Sequence, residues 1–493
     1  MVSAEFISMG SMGIHWSKVF LASSIAVMIL ASGICVFLSP QGSEATTGIP
    51  SYDLNEGKRV DVNSLSYTIF EDTKEAVLMG FAEDLEYETL VVPSSIRYND
   101  VIYSVRAIDS DAFSGTDITS LVVSDGIVTI GDYAFYQCTK LQSVSIGKDV
   151  LYMDGAFQCV KVDHKAGICE TSLENFVVTD GNPVYSTVDN VLYDKDLTKL
   201  ILCAPMKWGT LDIPDTVTEI CSMAFFGSHL FEIYIPDSVK YINNNAFIWC
   251  EQLISLHIPD SVERIGGYMT PFAVGWCSNM LYLVLSSPRI ENSAVTSLPW
   301  LRYMQITDSV EVLETSAIRN DADMPYKLRS LVIGEYGPSE SDTEPFTDFL
   351  FYESETSTEP LAQNPENLSK TAWWSTGEYE DGHLKMYKGY TVTLELDGGE
   401  CPIGAISSGK DGKIEDSMFP PVYKDNMFFD GWTDDLGNKI TSDYVFDMDT
   451  TIYAQFHDEY PADDSESRFL IIGISGLVFL LVAIVYFVYK AHQ

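Results

Sequence analysis

Positive charge is scarce in this chain. Lys and Arg together number 29 against 71 Asp and Glu, giving a formal net charge of -42. So acidic a surface repels phosphate backbones, which argues against DNA or RNA as a partner, and it also keeps a chain soluble. Catalytic signatures are missing as well: there is no H-E-x-x-H, no G-x-S-x-G and no G-x-G-x-x-G, and the seven histidines are scattered. The nine cysteines include no C-x-x-C pair, so neither a zinc knuckle nor a thioredoxin-type site is indicated. No L-P-x-T-G precedes the last apolar run, so attachment to a wall peptide is not indicated.

Three partial matches fail on their own terms. Residues 404–411 read G-A-I-S-S-G-K-D, but Asp411 stands where a phosphate-binding loop needs a hydroxyl. Asp434 and Asp435, with Gly437 and Asn438, lack the ligand alternation and closing glutamate of a calcium loop. His164 near Asp163 and Cys169 matches no familiar metal spacing and reads as a loop histidine. The many carboxylates make a glycosidase conceivable, but a paired acid and nucleophile need a cleft that nothing here predicts. No cofactor or metal is expected.

What the sequence has is a period. Ile108, Ile130, Tyr152, Ile220, Ile242 and Leu313 each stand four residues before an alanine, and in five of the six cases an aromatic follows that alanine. Phe113, Phe135 and Phe157 are 22 residues apart, and Phe225 and Phe247 repeat the interval. A constant period in this range means a solenoid, each coil burying its apolar edge against its neighbours. Each coil carries a second part, Leu-x-x-apolar-x-apolar, as in Leu141-Val144-Ile146, Leu253-Leu256-Ile258 and Leu328-Leu331-Ile333. Two apolar positions two apart share one face of a short strand, and one such strand per coil stacks into a parallel sheet. Pro236-Asp237 and Pro259-Asp260 end two of these strands, because proline cannot donate to the ladder.

Residues that alternate with the buried pair must face the other side of the sheet, expected to be an open concave surface. They include Ser145, Glu232, Tyr234, Ser255, His257, Tyr282, Val284, Tyr303, Gln305 and Val332. From Tyr234 to Tyr303 this row becomes aromatic, and exposed tyrosine anchors protein or sugar ligands. The competing reading is that Tyr and Val merely suit strands. Glu232, Tyr234, His257, Tyr282, Tyr303 and Gln305 are the candidate ligand-binding residues. Cys138 and Cys250 recur four residues after their coil's alanine, and Cys277 sits in a matching context, so these read as small core thiols. Cys159 and Cys169 are a candidate loop disulfide.

Two apolar runs flank all this. Residues 19–38 read as a secretory signal or an uncleaved N-terminal anchor within a segment 1–45. Residues 469–489 carry no charge and are long enough to span a bilayer. Acidic residues precede that run in a juxtamembrane linker (458–468), and Lys490 and His492 follow it in the tail 490–493, which sets the C-terminus in the cytoplasm and the ectodomain outside.

On these motifs the coils resemble the BspA-like, or bacterial surface-antigen, class of leucine-rich repeats. Asn182-Pro183-Val184-Tyr185 through Val191-Leu192-Tyr193-Asp194 is similar to an insertion common between coils of that class. The pattern breaks near residues 266–277 and 293–300, leaving the register between 266 and 300 open. Asp397-Gly398-Gly399, Gly431-Trp432 and Tyr453-Ala454-Gln455-Phe456, in this order, resemble an internalin B-type (Listeria-Bacteroides) repeat, which implies a β-grasp-like module serving as a stiff spacer.

The fold class expected is mainly β. An N-terminal β cap (46–107) leads into a leucine-rich-repeat solenoid (108–333) with a parallel sheet and an irregular or short-helical convex side. An acidic cap or linker (334–389) and the β-grasp-like domain (390–457) follow, with transmembrane segments at the ends. The function expected is adhesion, or binding of a surface protein or glycan of another cell or the same envelope, by a single-pass cell-surface protein rather than an enzyme. The alternatives are a structural envelope protein acting by self-association and a surface hydrolase.

Overall fold

The computed structural model describes residues 52–457, apart from 84–87, 154, 164–167, 266–271, 315, 320–326, 337–343 and 426. Both terminal apolar runs, 19–38 and 469–489, lie outside the described residues, as does His164. Among the described residues no helix is long and apolar enough to cross a membrane, and the single α-helix is Pro365–Leu368.

The repeat becomes a coil through one set of contacts used again and again. Leu121, Val144, Leu256, Leu283 and Leu331 point inward from four-residue strands that pair in parallel with the strand of a neighbouring coil. The alanine is buried in the coils of Ala134, Ala156, Ala224 and Ala246, half-buried at Ala112, and the alanine carbonyl accepts from the backbone N–H of the residue after the preceding coil's alanine. Phe113 donates to Ala134 at 2.8 Å, Phe135 to Ala156 at 3.0 Å and Phe225 to Ala246 at 2.9 Å. That close approach leaves no room for a larger side chain. The phenylalanines then stack: Phe113 on Phe135 at 5.6 Å, Phe135 on Phe157 at 5.2 Å, and Phe225 on Phe247 at 5.1 Å between ring centres, all within 7° of parallel. Each buried ring contributes about 1.5–3 kcal/mol of transfer free energy. Ile108, Ile130, Ile220 and Ile242 complete these cores, all buried.

The side away from the main sheet differs from the expected irregular or short-helical surface. It is built of turns and two-residue strands that form further parallel ladders, such as Glu219–Ile220, Tyr241–Ile242 and Arg264–Ile265, and Val274–Gly275, Val295–Thr296 and Ile318–Arg319. The cause is a left-handed corner at one or both of two fixed places in these coils. The residue before the alanine has positive φ at Asp111, Tyr133, Met223, Asn245, Ser293 and Ser316. The third residue after it does so at Gln137, Trp249, Trp276 and Ser297. A left-handed residue at such a corner interrupts any helix. The coils whose register was open take the same path, with Ala273-Val274 and Ala294-Val295 where other coils have Ala-Phe.

The solenoid runs in two blocks. In the first, the main sheet pairs Thr89–Val92, Ser120–Val123, Ser143–Ile146 and Asn175–Val178, preceded by a sheet containing Lys58–Val62, Leu65–Phe70 and Glu75–Phe81. An inserted hairpin, Tyr185–Val188 with Val191–Asp194, then joins the blocks. Buried Asn182 fixes it: its amide nitrogen donates to the Val150 carbonyl at 2.8 Å, and its oxygen accepts from the N–H groups of Val184 and Tyr185, each at 2.8 Å. In the second block the main sheet passes from Gly209–Asp212 through Leu230–Tyr234, Ser255–Ile258, Tyr282–Leu285 and Tyr303–Ile306 to Ser330–Ile333. There it is continued antiparallel by Thr371–Trp374 and His383–Gly389, with buried Phe346, Phe349, Phe351 and Trp373 covering the last coil's core. A terminal coil needs such a cover.

A small C-terminal β domain follows, with strands Thr391–Glu395, Ala405–Ser407, Phe428–Thr433 and Thr450–His457. Its sheet is mixed: Thr391–Glu395 runs parallel to Thr450–His457, and the other pairs are antiparallel.

Candidate binding surface

Strand register aligns the outward side chains of the second block into two rows. One runs Thr210, Glu232, Ser255, Tyr282, Tyr303 and Ser330, and the other contains Asp212 beside Tyr234, then His257, Val284, Gln305 and Val332. Both rows change character at one place. Up to Ser255 and His257 the side chains are exposed or half-buried, whereas Tyr282, Val284, Tyr303, Ser330 and Val332 are buried.

The C-terminal β domain causes the change by packing on that part of the sheet. Tyr282, Val284 and Tyr303 share one apolar cluster with Val392, Leu394, Ile403, Ile406, Trp432 and Ile452. Polar groups lock the contact: the Tyr303 hydroxyl donates to the Met418 carbonyl at 3.0 Å, the Gly404 N–H to Gln305 Oε1 at 2.9 Å, and the Ser407 N–H to Ser330 Oγ at 2.8 Å. The stacked rings of Tyr282 and Tyr303 lie 4.9 Å apart beneath it, and burial lifts the Tyr282 phenol to about 12.

Three of the six candidate residues therefore do not face an open surface. Tyr282 is 8% exposed, Tyr303 is 2% exposed, and Gln305 is engaged by Gly404. The domain lies against the solenoid, and not beyond it as a separate spacer. Glu232, Tyr234 and His257 remain accessible, with Tyr234 47% exposed. His257 Nε2 lies 3.2 Å from Ser286 Oγ, and partial desolvation holds the imidazole below its ordinary pKa. The Tyr234 phenol is pushed above its usual value, first by partial desolvation and then by its hydrogen bond to Glu232 and the charges of Glu232, Glu400 and Asp212. Sequence pattern did not single out Trp208, 67% exposed and edge-on to Phe231, or Ile254, which lie at the upstream ends of the same strands. An apolar residue just before the outward pair was the available sign.

The first block presents its own open row, Val91, Val122, Ser145 and Val177, in register on neighbouring strands. The three valines are exposed.

The thiols have structural partners. Cys138 Sγ donates to the Phe113 carbonyl at 3.1 Å, Cys250 to Phe225 at 3.1 Å, Cys277 to Phe247 at 3.3 Å and Cys159 to Phe135 at 3.4 Å. Cys159 and Cys169 are both free, which corrects the candidate disulfide. Cys159 is turned into the core toward the preceding coil, while the Cys169 thiol lies beside Gly227. Burial raises both thiols, Cys169 to about 12.

The 404–411 segment is a strand followed by a turn, with Lys410 paired to Glu355 at 3.1 Å. The Asp434 carboxylate is filled by its own loop, accepting from the N–H groups of Leu436 (3.0 Å) and Asn438 (2.8 Å) and the Asn438 amide (2.8 Å). Among the described residues no three His, Cys, Asp or Glu are grouped to hold a metal. A cavity of about 60 Å³ beside the inserted hairpin, lined by Phe157, Val160, Leu192 and Ile201, is far smaller than the ~300 Å³ an organic ligand needs.

Parallel coils with one sheet strand each, an inward Leu-x-x-apolar-x-apolar set and a small C-terminal β domain define a leucine-rich-repeat solenoid. Six copies of the BspA type leucine rich repeat region match residues 94–166 and 203–324. These two stretches carry BspA-type leucine-rich repeats. Among solved structures it is similar to the pneumococcal vaccine antigen PcpA, at 16% identity over 53% of this chain and 94% of that one, with a TM-score of 0.30. A leucine-rich repeat protein from Eubacterium ventriosum matches at 16% identity over 64% and 93%, TM-score 0.35. A leucine rich cell surface protein from Faecalibacterium prausnitzii matches at 20% identity over 54% and 76%, TM-score 0.32. No curated protein matches the chain.

Proposed function

We propose that this chain is a cell-surface, membrane-anchored binding protein that meets a macromolecular partner, protein or glycan, through the open part of its main sheet. The observation that carries the reading is the change along the two outward rows. The C-terminal β domain occupies the sheet from Tyr282 onward and leaves Glu232, Tyr234 and His257 accessible. Exposed tyrosine on a rigid sheet supplies contact area at low entropic cost. Surface display rests on the apolar runs 19–38 and 469–489 and the charges flanking the second. The C-terminal domain, for which we keep the internalin B-type resemblance, acts as a docked cover that sets where the binding face ends.

The test is saturable attachment of the labelled protein to neighbouring bacterial or host cells, compared with Tyr234→Ser/His257→Ser. The reading expects attachment to fall by about tenfold or more, in line with the loss of an interface anchor. Unchanged attachment sinks it, and attachment only to copies of itself would favour an envelope component instead.

A further inference from the structure

The border between the open coils and the docked domain is itself a built surface. Cys401 packs against the Tyr282 cluster, which sets the adjacent, exposed Glu400 at the rim of the domain next to the last open strands. Glu400 forms a two-way backbone bridge with Tyr423, accepting from its N–H at 2.9 Å and donating at 2.6 Å. Tyr423 is 61% exposed, and its hydroxyl donates to Asp425 at 2.7 Å. Across the border stand exposed Tyr234, half-buried Glu232 two residues before it on the same face of the strand, and Asp212 in register beside Tyr234. Register ties the two sides together: Glu232 pairs with Ser255, and Ser255 with Tyr282 beneath the docked domain. Lys424, next in sequence, is engaged elsewhere: it is bonded to Asp397 and lies over the Phe456 ring.

We propose that this border, built from Asp212, Glu232 and Tyr234 of the solenoid and Glu400 and Tyr423 of the docked domain, is a recognition site for a basic polypeptide segment. The argument is charge complementarity joined to ring geometry. Carboxylates beside exposed aromatic faces are what a lysine or arginine side chain requires, the carboxylate for its charge and the ring for its flank. A polypeptide fits better than a small amine because apolar Trp208 and Ile254 are exposed at the other end of the same strands. A segment lying along them meets carboxylates at one end and apolar surface at the other. The site deepens the binding reading above and rests on it.

The experiment uses the full-length protein and an eight-residue peptide alternating lysine and leucine, with its glutamate counterpart as control, followed by fluorescence anisotropy. Saturable binding of the lysine peptide alone is expected, and Glu232→Gln/Glu400→Gln should weaken it by about tenfold, as for two partly exposed charge contacts. Asp117→Asn/Asp149→Asn, on remote coils, should leave it unchanged. Equal binding by the Gln variant overturns the proposal, as does an equal loss in the remote variant, which would mark general attraction to an acidic protein. Circular dichroism of each variant checks that it folds. If Tyr234→Ser/His257→Ser abolishes cell attachment while Glu232→Gln/Glu400→Gln does not, the open face binds a partner of other chemistry, such as a glycan. The function then stands and this site falls.

Discussion

Replacing Tyr303 with alanine should loosen a domain that begins almost ninety residues downstream. The ring is almost wholly buried, stacks on Tyr282 at 4.9 Å and reaches the Met418 carbonyl with its hydroxyl. Truncating a buried aromatic costs about 3–5 kcal/mol, of which the hydrogen bond accounts for about 1 kcal/mol. Four strands with a small core are marginal alone, so much of that loss passes to the docked domain. A loss of about 3 kcal/mol lowers amide protection there by roughly a hundredfold, whereas Tyr303→Phe, which removes only the hydroxyl, lowers it about fivefold. Hydrogen exchange read on peptides covering Thr391–Glu395 and Thr450–His457 measures this, with Ser120–Val123 and Ser143–Ile146 as internal controls. Unchanged exchange in the C-terminal peptides of the alanine variant would refute the docking. A uniform change in all four would show that Tyr303 supports the solenoid and not the contact.

Phe135→Ala, which removes a ring stacked on both neighbours, should cost about 3–5 kcal/mol in urea denaturation. Gly147→Ala should destabilise the first block by about 1–3 kcal/mol, since a Cβ there would sit 2.7 Å from the Ser124 carbonyl oxygen, and a lowered melting midpoint checks it. Native protein treated with iodoacetamide at pH 8 should stay unmodified at Cys159 and Cys250, whose burial raises both thiols, and mass spectrometry after denaturation should find Cys159 and Cys169 as separate thiols. The Asp434 carboxylate is held below its ordinary 3.8, chiefly by the Asn438 side chain. The stability it lends is complete above 3.8 and fades as pH falls through the depressed value. Asp434→Asn should therefore flatten the acid limb of a melting-point profile taken from pH 5 to 2, and an unaltered limb counts against the loop assignment.

Much of the solenoid was legible because its chemistry repeats. Ala-Phe at a fixed interval and the paired apolar strand positions each report a local contact, and local contacts leave periodic traces. The coils at Ala273 and Ala294 escaped because valine replaces the aromatic there. The corners escaped because residues as different as Asp111, Tyr133, Met223 and Asn245 take the left-handed conformation, and glycine stands at only some of them, as at Gly115, Gly155 and Gly227. The covered half of the sheet was misread for another reason. Alternation says which side of a strand a residue takes, not what lies over it. A trace was present even so: the outward rows begin with Thr210, Asp212 and Glu232 and turn to Tyr282, Val284, Tyr303 and Val332. A row growing more apolar along a solenoid signals a covering partner as readily as a sticky ligand site.

The hydrogen bond from Tyr303 to Met418 joins residues 115 apart in a chain whose other ties mostly reach one coil away. Synthesis delivers the earlier residue first, and at 5–20 residues per second its partner emerges on the order of 10 s later. For that interval the tyrosine pair and Val284 face solvent on a finished sheet. Folding of this polypeptide should therefore be sensitive to anything that delays its last strands, and a chain cut short before residue 390 would leave the ribosome with a permanently sticky flank.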